Sequence, residues 1–143
     1  MKKVSIIYAT MTGNTEEIAG MIKDELNGFD VNVINVSNAT DEDVTGADLV
    51  LFGSSTWGYG DVNDEFVGYY DNMSKELLEG KEFAVFGCGD SIGFSDVFCH
   101  GAEAINDKAI ECGGVQKAET LKIDFYESDK EEMVKEFAEA LKK

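Results

Sequence analysis

Several residue types that usually mark a particular chemistry are scarce or missing in this chain of 143 residues. It has no arginine and no proline, one tryptophan, one histidine and three cysteines. Without arginine, a phosphate group has to be held by backbone N–H groups, hydroxyls or lysine, because the usual bidentate clamp is missing. Cys88, Cys99 and Cys112 lack metal-ligand spacing, so we expect reduced thiols in a cytoplasmic protein. His100 has no companion ligands, and no metal site is expected.

Positive charge is also scarce. Twelve lysines face 29 acidic residues, which gives a net charge of −17. Such a surface repels nucleic acid and anionic membranes and attracts basic proteins, although acidity can also serve solubility alone. No apolar run is long enough for a transmembrane helix or a signal peptide. With 43% hydrophobic and 29% charged residues, we expect one globular domain over residues 1–143.

Apolar runs that alternate with helical patterns predict a doubly wound α/β fold, with a parallel sheet and helices on both faces. The strands are predicted at Lys3–Tyr8, Val31–Val36, Leu49–Gly53, Phe83–Cys88 and near Glu119–Ile123. The helices are predicted from about Thr15 to Leu26, Asp64 to Gly80, Val97 to Cys112 and Ser128 to Leu141. Asp41–Asp43 is interpreted as an acidic connection, and strand five as uninterrupted. In such a sheet, ligands bind beyond the carboxyl ends of the strands.

The loop after the first strand has the composition of a phosphate cradle. Backbone N–H groups and the positive end of the following helix suit an anion, and Gly13 permits close approach. Hydroxyl and amide side chains add donors. The alternative is an ordinary turn in which Asn14 is the N-cap and Glu17 completes a capping box. The phosphate interpretation assigns the site to Thr10, Met11, Thr12, Gly13, Asn14 and Thr15.

Two further loops follow the third and fourth strands and open at the same predicted edge. The first, Ser54–Asp61, carries Trp57, which can stack on a planar ligand or fold back to anchor the loop. The second, Cys88–Asp96, carries Phe94, which can form a second aromatic wall or a small local core. With the phosphate cradle, they predict a pocket for a mononucleotide with a flat ring system. Its predicted lining is Ser54, Ser55, Thr56, Trp57, Gly58, Tyr59, Cys88, Gly89, Asp90 and Phe94.

These three loops resemble those of the flavodoxins, which bind FMN and carry electrons. The motif TMTGNT is similar to the family's phosphate loop, STWG at Ser55–Gly58 to its first flavin-flanking loop, and GDSIGFSDVF at Gly89–Phe98 to its second. The resemblance spans essentially the whole chain and, given the uninterrupted strand five, is to the short-chain group. Two positions depart from the family. Phe94 stands where tyrosine is usual, and Tyr59 where an acid is frequent, so Tyr59 competes with Trp57 or Phe94 for a stacking role.

The resemblance implies a five-stranded flavodoxin-like sheet in the order 2-1-3-4-5. It also implies non-covalently bound FMN in a low-potential one-electron carrier that is not an enzyme. Its partners would be redox proteins with basic docking faces, and the protein would be a monomer. The alternative is a small FMN-dependent oxidoreductase similar to quinone reductases, but no insertion is present to build a substrate pocket. A phosphoryl-accepting receiver is disfavoured, because it needs acids where Ala9 and Thr10 stand. A P-loop hydrolase is disfavoured, because the GK[ST] ending that it needs is absent from the sequence.

Overall fold

The computed structural model describes residues 3–9, 14–55, 75–89, 100–124 and 130–142, which form a parallel sheet with helices packed on it. The strands are β1 (Lys3–Ala9), β2 (Asp30–Asn35), β3 (Leu49–Ser55), β4 (Glu82–Gly89), β5 (Val115–Gln116) and β6 (Leu121–Asp124). The helices are α1 (Asn14–Glu25), α2 (Asp41–Thr45), α3 (Lys75–Leu78), α4 (His100–Glu111) and α5 (Lys130–Lys142), with a 3-10 turn at Val36–Asn38. Residues 64–74 of the predicted second helix and residues 128–129 of the predicted fourth lie outside the described residues.

The strands follow the order β2-β1-β3-β4-β5, and every pairing is parallel, which confirms the predicted order 2-1-3-4-5. The fifth position contains two segments. β5 lies beside the start of β4, and β6 lies beside its end. The strand predicted near Glu119–Ile123 is β6, and no long insertion separates it from β5, which was not predicted. The Lys117 backbone N–H still donates to the Phe83 carbonyl of β4 at 2.7 Å, after which residues 118–120 leave the ladder. The Gln116 side-chain amide donates to the Ala118 carbonyl at 3.0 Å.

The buried side chains form two clusters, one on each face of the sheet. On one face, α1 and α5 pack side by side over alternate residues of β1, β3 and β4, among them Ile6, Leu51 and Phe86. On the other face, α2, α3 and α4 cover the intervening residues, among them Phe52 and Val85. Since both faces are covered, the central strands β1, β3 and β4 have no solvent side, which explains why their sequences are largely apolar runs.

The segment predicted as an acidic connection is instead the first turn of α2. The Thr40 backbone N–H donates to Asp43 Oδ2 at 2.8 Å, and this contact is part of a capping box. Ser5, a buried polar residue of β1, donates its hydroxyl to the Asp43 carbonyl oxygen at 2.7 Å. This bond satisfies the Ser5 hydroxyl and fixes α2 against the sheet.

Glycines end two of the long helices. Gly28 follows α1 with a φ of 92°, and Gly113 follows α4 with a φ of 87°. Both values lie in the left-handed region, where a side chain is disfavoured and where helix-ending turns commonly place a residue. These turns return the chain to the amino ends of β2 and β5.

Candidate cofactor site at the carboxyl edge of the sheet

The three predicted loops leave the sheet from neighbouring strands at one edge. Ala9, the last residue of β1, lies opposite Ser54, and Ser55, the last residue of β3, lies opposite Cys88. Adjacent strands are about 4.8 Å apart, so the ends of β1, β3 and β4 together span about 10 Å. The register thus brings the starting points of all three loops together, within the width of a flat ring system.

This edge is also where the winding of the sheet reverses. From β1 the chain passes through α1 to β2 on one side, whereas β3 lies on the other side of β1. Loops that leave adjacent strands in opposite directions open a crevice between them, and ligands of doubly wound proteins bind there. Flavodoxins are among the proteins on which this rule is based, so for the family that the sequence resembles the placement is part of the rule itself.

The described residues include the borders of the predicted site. Asn14 and Thr15 open α1, which begins five residues after Ala9, so the helix N-terminus stands at the carboxyl edge. Ser54 and Ser55 end β3, while Cys88 and Gly89 end β4. The remaining predicted residues lie outside the described residues, and their roles stay predictions: Thr10, Met11, Thr12, Gly13, Thr56, Trp57, Gly58, Tyr59, Asp90 and Phe94.

Packing at the end of β3 depends on Gly53. Gly53 and Phe86 are register partners, and a Cβ at Gly53 would lie 2.2 Å from Cζ of the Phe86 ring. The ring is fully buried, so it occupies the space that a side chain at position 53 would need. Gly53 is therefore required by core packing, and it fixes how β3 delivers Ser54 and Ser55 to the edge.

Charge is distributed unequally along the strand direction. The first turns of α1, α4 and α5 stand at the carboxyl edge and carry Glu16, Glu17, Glu103, Glu131 and Glu132. The last turns of the same helices carry Lys23, Lys108 and Lys142 at the opposite end, where Lys3 and Lys81 also lie. This polarity stabilises each helix through its dipole. It also places acidic side chains of three helices at the end of the sheet that carries the candidate site.

Sequence reasoning missed two features near this edge. Lys122 of β6 forms an ion pair with Glu103 of α4, which ties the strand to the helix that follows the third loop. Asp124 ends β6 beside Gly89 and so shares the edge, although the strand was predicted to end at Ile123. An acid placed directly after an apolar strand was the available signal. His100 begins α4, and Cys112 is a free, buried cysteine.

A parallel sheet in this order, with helices on both faces and the ends of β1, β3 and β4 side by side at its carboxyl edge, defines a doubly wound α/β protein, a class in which ligands bind at that edge. The family model described as flavodoxin matches residues 6–137. A flavodoxin of Maridesulfovibrio salexigens is 38% identical over 130 residues, which is 87% of each chain. The chain therefore belongs to the flavodoxin family.

Solved structures agree with this assignment. A short-chain flavodoxin associated with a non-canonical PDU bacterial microcompartment superposes with a TM-score of 0.89 at 29% identity, covering 99% of this chain and 97% of the other. This likeness confirms the short-chain resemblance. A Fusobacterium nucleatum flavodoxin bound to flavin mononucleotide has a TM-score of 0.88 at 21% identity, covering 99% and 98%, and shows the shared fold. Among the residues that the structure describes, no helix combines the length and apolar character needed to cross a membrane.

Proposed function

We propose that this protein is a low-potential one-electron carrier that uses non-covalently bound FMN to shuttle electrons between redox proteins. The observation that carries the proposal is the register that joins the ends of β1, β3 and β4 at the edge where α1 begins. Family membership supports it, as does the flavin mononucleotide bound by the Fusobacterium nucleatum relative. We further propose a cytoplasmic monomer in which residues 1–143 form one FMN-binding domain.

The donors available at this edge fit the phosphate of FMN. The N-terminus of α1 provides backbone N–H groups that have no partner within the helix. Thr15 lies in its first turn, and Thr10 and Thr12 precede it in the chain. Since the chain has no arginine, these neutral donors would hold the phosphate without a bidentate cation. On this proposal Trp57 and Phe94 lie on opposite sides of the flavin ring, with Tyr59 as the alternative outer wall.

FMN would supply the electron-accepting ring, and the protein would set its potential. The acidic first turns of α1, α4 and α5 disfavour added negative charge at this edge, which lowers the reduction potential. The alternative is a small FMN-dependent oxidoreductase with its own substrate. If the protein is such an oxidoreductase, the purified protein alone should reduce a quinone with electrons from a nicotinamide donor. A carrier requires partner proteins, one to reduce it and one to oxidise it.

The first test is the visible absorption spectrum of the purified protein, which should show bound flavin, followed by FMN titration of the flavin-free protein. Changing Thr12 and Thr15 together to alanine should weaken FMN binding about a hundredfold, because two hydrogen bonds to a charged group are lost. Thr45→Ala is the matched control, since Thr45 is exposed on α2 at a distance from the site. Equal FMN affinity in the double variant, or a preference for FAD, contradicts the proposed site.

We propose that the partners carry basic surfaces around their own redox centres. The acidic carboxyl edge supports this, together with Asp61, Asp64, Glu65, Asp90 and Asp96, which lie outside the described residues. Charge complementarity mainly raises the association rate. The second-order rate of electron transfer to a basic redox protein should therefore fall about tenfold or more as added salt screens the field. Reaction with an uncharged quinone is the control, and equal salt profiles for the two reactions refute charge steering.

A further inference from the structure

A groove of about 360 Å³ lies between α5 and the segment that interrupts the fifth strand position. Its floor is apolar and comes from Leu121, Met133, Phe137 and Ala140. Leu121 and Phe137 are 7% and 6% exposed, so they belong to the core and only their outer surfaces reach the groove. Apolar concavities of this volume lie within the size range of small-molecule sites.

The rim of this groove is acidic. Glu119 lies on the interrupting segment and Glu136 on α5, and both side chains are exposed while lining the same groove. Thr120 adds a hydroxyl beside them. Neither carboxylate forms an ion pair with a described residue, and no described lysine lines the groove. An apolar floor under two uncompensated carboxylates is complementary to a ligand with a compact apolar body and a positive charge.

The groove on the other side of Glu119 differs in this respect. It has a similar volume, but its lining includes Lys122, which is paired with Glu103. Asp107 and Glu119 also line it, so a cation entering there would still meet two carboxylates, but no apolar side chain is among its described lining residues. The apolar floor, together with the two carboxylates, therefore distinguishes the groove beside α5 as the one that suits a cation with an apolar body.

The apolar groove is also separate from the candidate cofactor site. Leu121 pairs with Phe86, and residues 118–120 precede it, so they lie toward the amino ends of the strands. α5 starts at the carboxyl edge, and at 1.5 Å per residue Phe137 is about 10 Å along the helix from its first residue. A ligand in this groove would therefore leave the carboxyl edge free.

We propose that this groove is a binding site for small amphipathic amines, with the apolar body against Phe137 and Leu121 and the ammonium between Glu119 and Glu136. The site favours ligands that have both an apolar body and an ammonium group, because burial of the apolar surface stabilises binding and the two carboxylates select positive charge. The proposal is independent of FMN binding. If the protein binds amines saturably but no flavin, this inference stands and the proposed function is refuted. If it binds FMN but no amine, the proposed function stands and this inference is refuted.

The test is a titration of the full-length, ¹⁵N-labelled protein with 2-phenylethylamine, followed by backbone amide resonances. We expect saturable shifts at Ala118, Thr120, Met133 and Ala140 with a Kd of about 1 mM, the order suited to a ligand of about nine non-hydrogen atoms. The neutral analogue 2-phenylethanol should bind several-fold more weakly, and phenylacetate should not bind. Equal affinity for amine and alcohol, or unsaturable shifts spread over all acidic surfaces, overturns the proposal.

Variants locate the site and separate it from general charge attraction. Glu136→Gln should weaken 2-phenylethylamine about threefold, the effect of losing one exposed ion pair. Glu139→Gln, an exposed glutamate on the same helix that does not line the groove, should leave the affinity unchanged. Ala140→Leu should fill the groove and abolish binding, with thermal unfolding as a check on folding. Equal weakening by Glu136→Gln and Glu139→Gln, or full binding by Ala140→Leu, contradicts the assignment.

Discussion

The packing of Phe86 over Gly53 allows a quantitative prediction. A Cβ at position 53 would lie 2.2 Å from Cζ, 2.4 Å from Cε2 and 2.8 Å from Cε1 of the Phe86 ring. Ordinary carbon contacts are about 3.5–4.0 Å, so the ring would have to move by more than 1 Å in a fully buried cluster. Gly53→Ala should therefore lower the free energy of unfolding by about 3 kcal/mol, the upper part of the usual cost of overpacking.

The atoms in conflict are those that leucine lacks, which makes Phe86→Leu the partner for a double-mutant cycle. Phe86→Leu alone should cost about 1.5 kcal/mol, between the loss of one methyl and full truncation of the ring to alanine. In the double variant the new Cβ occupies the space left by the ring, so the total should stay near 1.5–2 kcal/mol instead of about 4.5 kcal/mol. The expected coupling is then about 2.5–3 kcal/mol in favour of the pair.

Equilibrium urea unfolding followed by far-UV circular dichroism measures these differences. Flavin should be removed first, because a ligand bound only to the folded state raises apparent stability. Gly20→Ala is the control, since Gly20 lies within α1 and the Cβ that alanine adds there would have no atom within 4 Å. It should stabilise the protein by about 0.5–1 kcal/mol through helix propensity. Costs of Gly53→Ala and Phe86→Leu that add within about 0.5 kcal/mol would refute the proposed steric conflict.

Three further outcomes are expected. Gly28→Ala should destabilise the protein by about 1 kcal/mol despite the open space around Gly28, because its φ is 92°, and urea unfolding against Gly20→Ala separates strain from packing. Asp43→Ala should cost about 1 kcal/mol in the same assay, since it removes the acceptor of the Thr40 N–H, and no change would mean that the capping box is dispensable. Trp57 fluorescence should be strongly quenched when FMN binds, whereas bright emission from the flavin-loaded protein would identify Trp57 as a packing residue and favour Tyr59.

The sheet could be predicted because its central strands have one simple requirement. Strands covered on both faces need apolar residues at every position, and Leu49–Phe52 meets that condition in four consecutive residues that are all buried. The end of α1 was predictable because the positive φ that Gly28 adopts there is accessible to few other residue types. Once strands and helices alternate, the doubly wound order follows from general rules of connection.

Two local structures were missed because their stability does not come from hydrophobic periodicity. α2 is too short to show a helical pattern, and its one signal is the spacing of Thr40 and Asp43. β5 consists of two exposed residues held by backbone bonds, such as Val115 N–H to the Lys81 carbonyl at 2.8 Å, and backbone bonds do not depend on side-chain identity. A split strand of this kind cannot be distinguished from one strand and a turn by composition alone.

The position of the candidate site was more predictable than the arrangement of its side chains. The carboxyl edge follows from strand order, and the register of Ala9 with Ser54 supports it directly. Whether Trp57, Phe94 or Tyr59 stacks on the ligand depends on loop backbone angles, which glycines such as Gly58 leave open. The acidic groove beside α5 could not be predicted at all, because it combines Glu119 with residues of α5, well separated along the chain.

The divided fifth position also has a consequence for the protein at high concentration. An outer strand with a long, flat row of unpaired N–H and C=O groups is a template for pairing with another chain, and such pairing leads to aggregation. Here the row is limited to Val115–Gln116 and Leu121–Asp124, and Lys117 and Lys122 place charges beside the gap. The interruption thus leaves two short segments at this border of the sheet in place of one long template, a form that natural sheets use against edge-to-edge pairing.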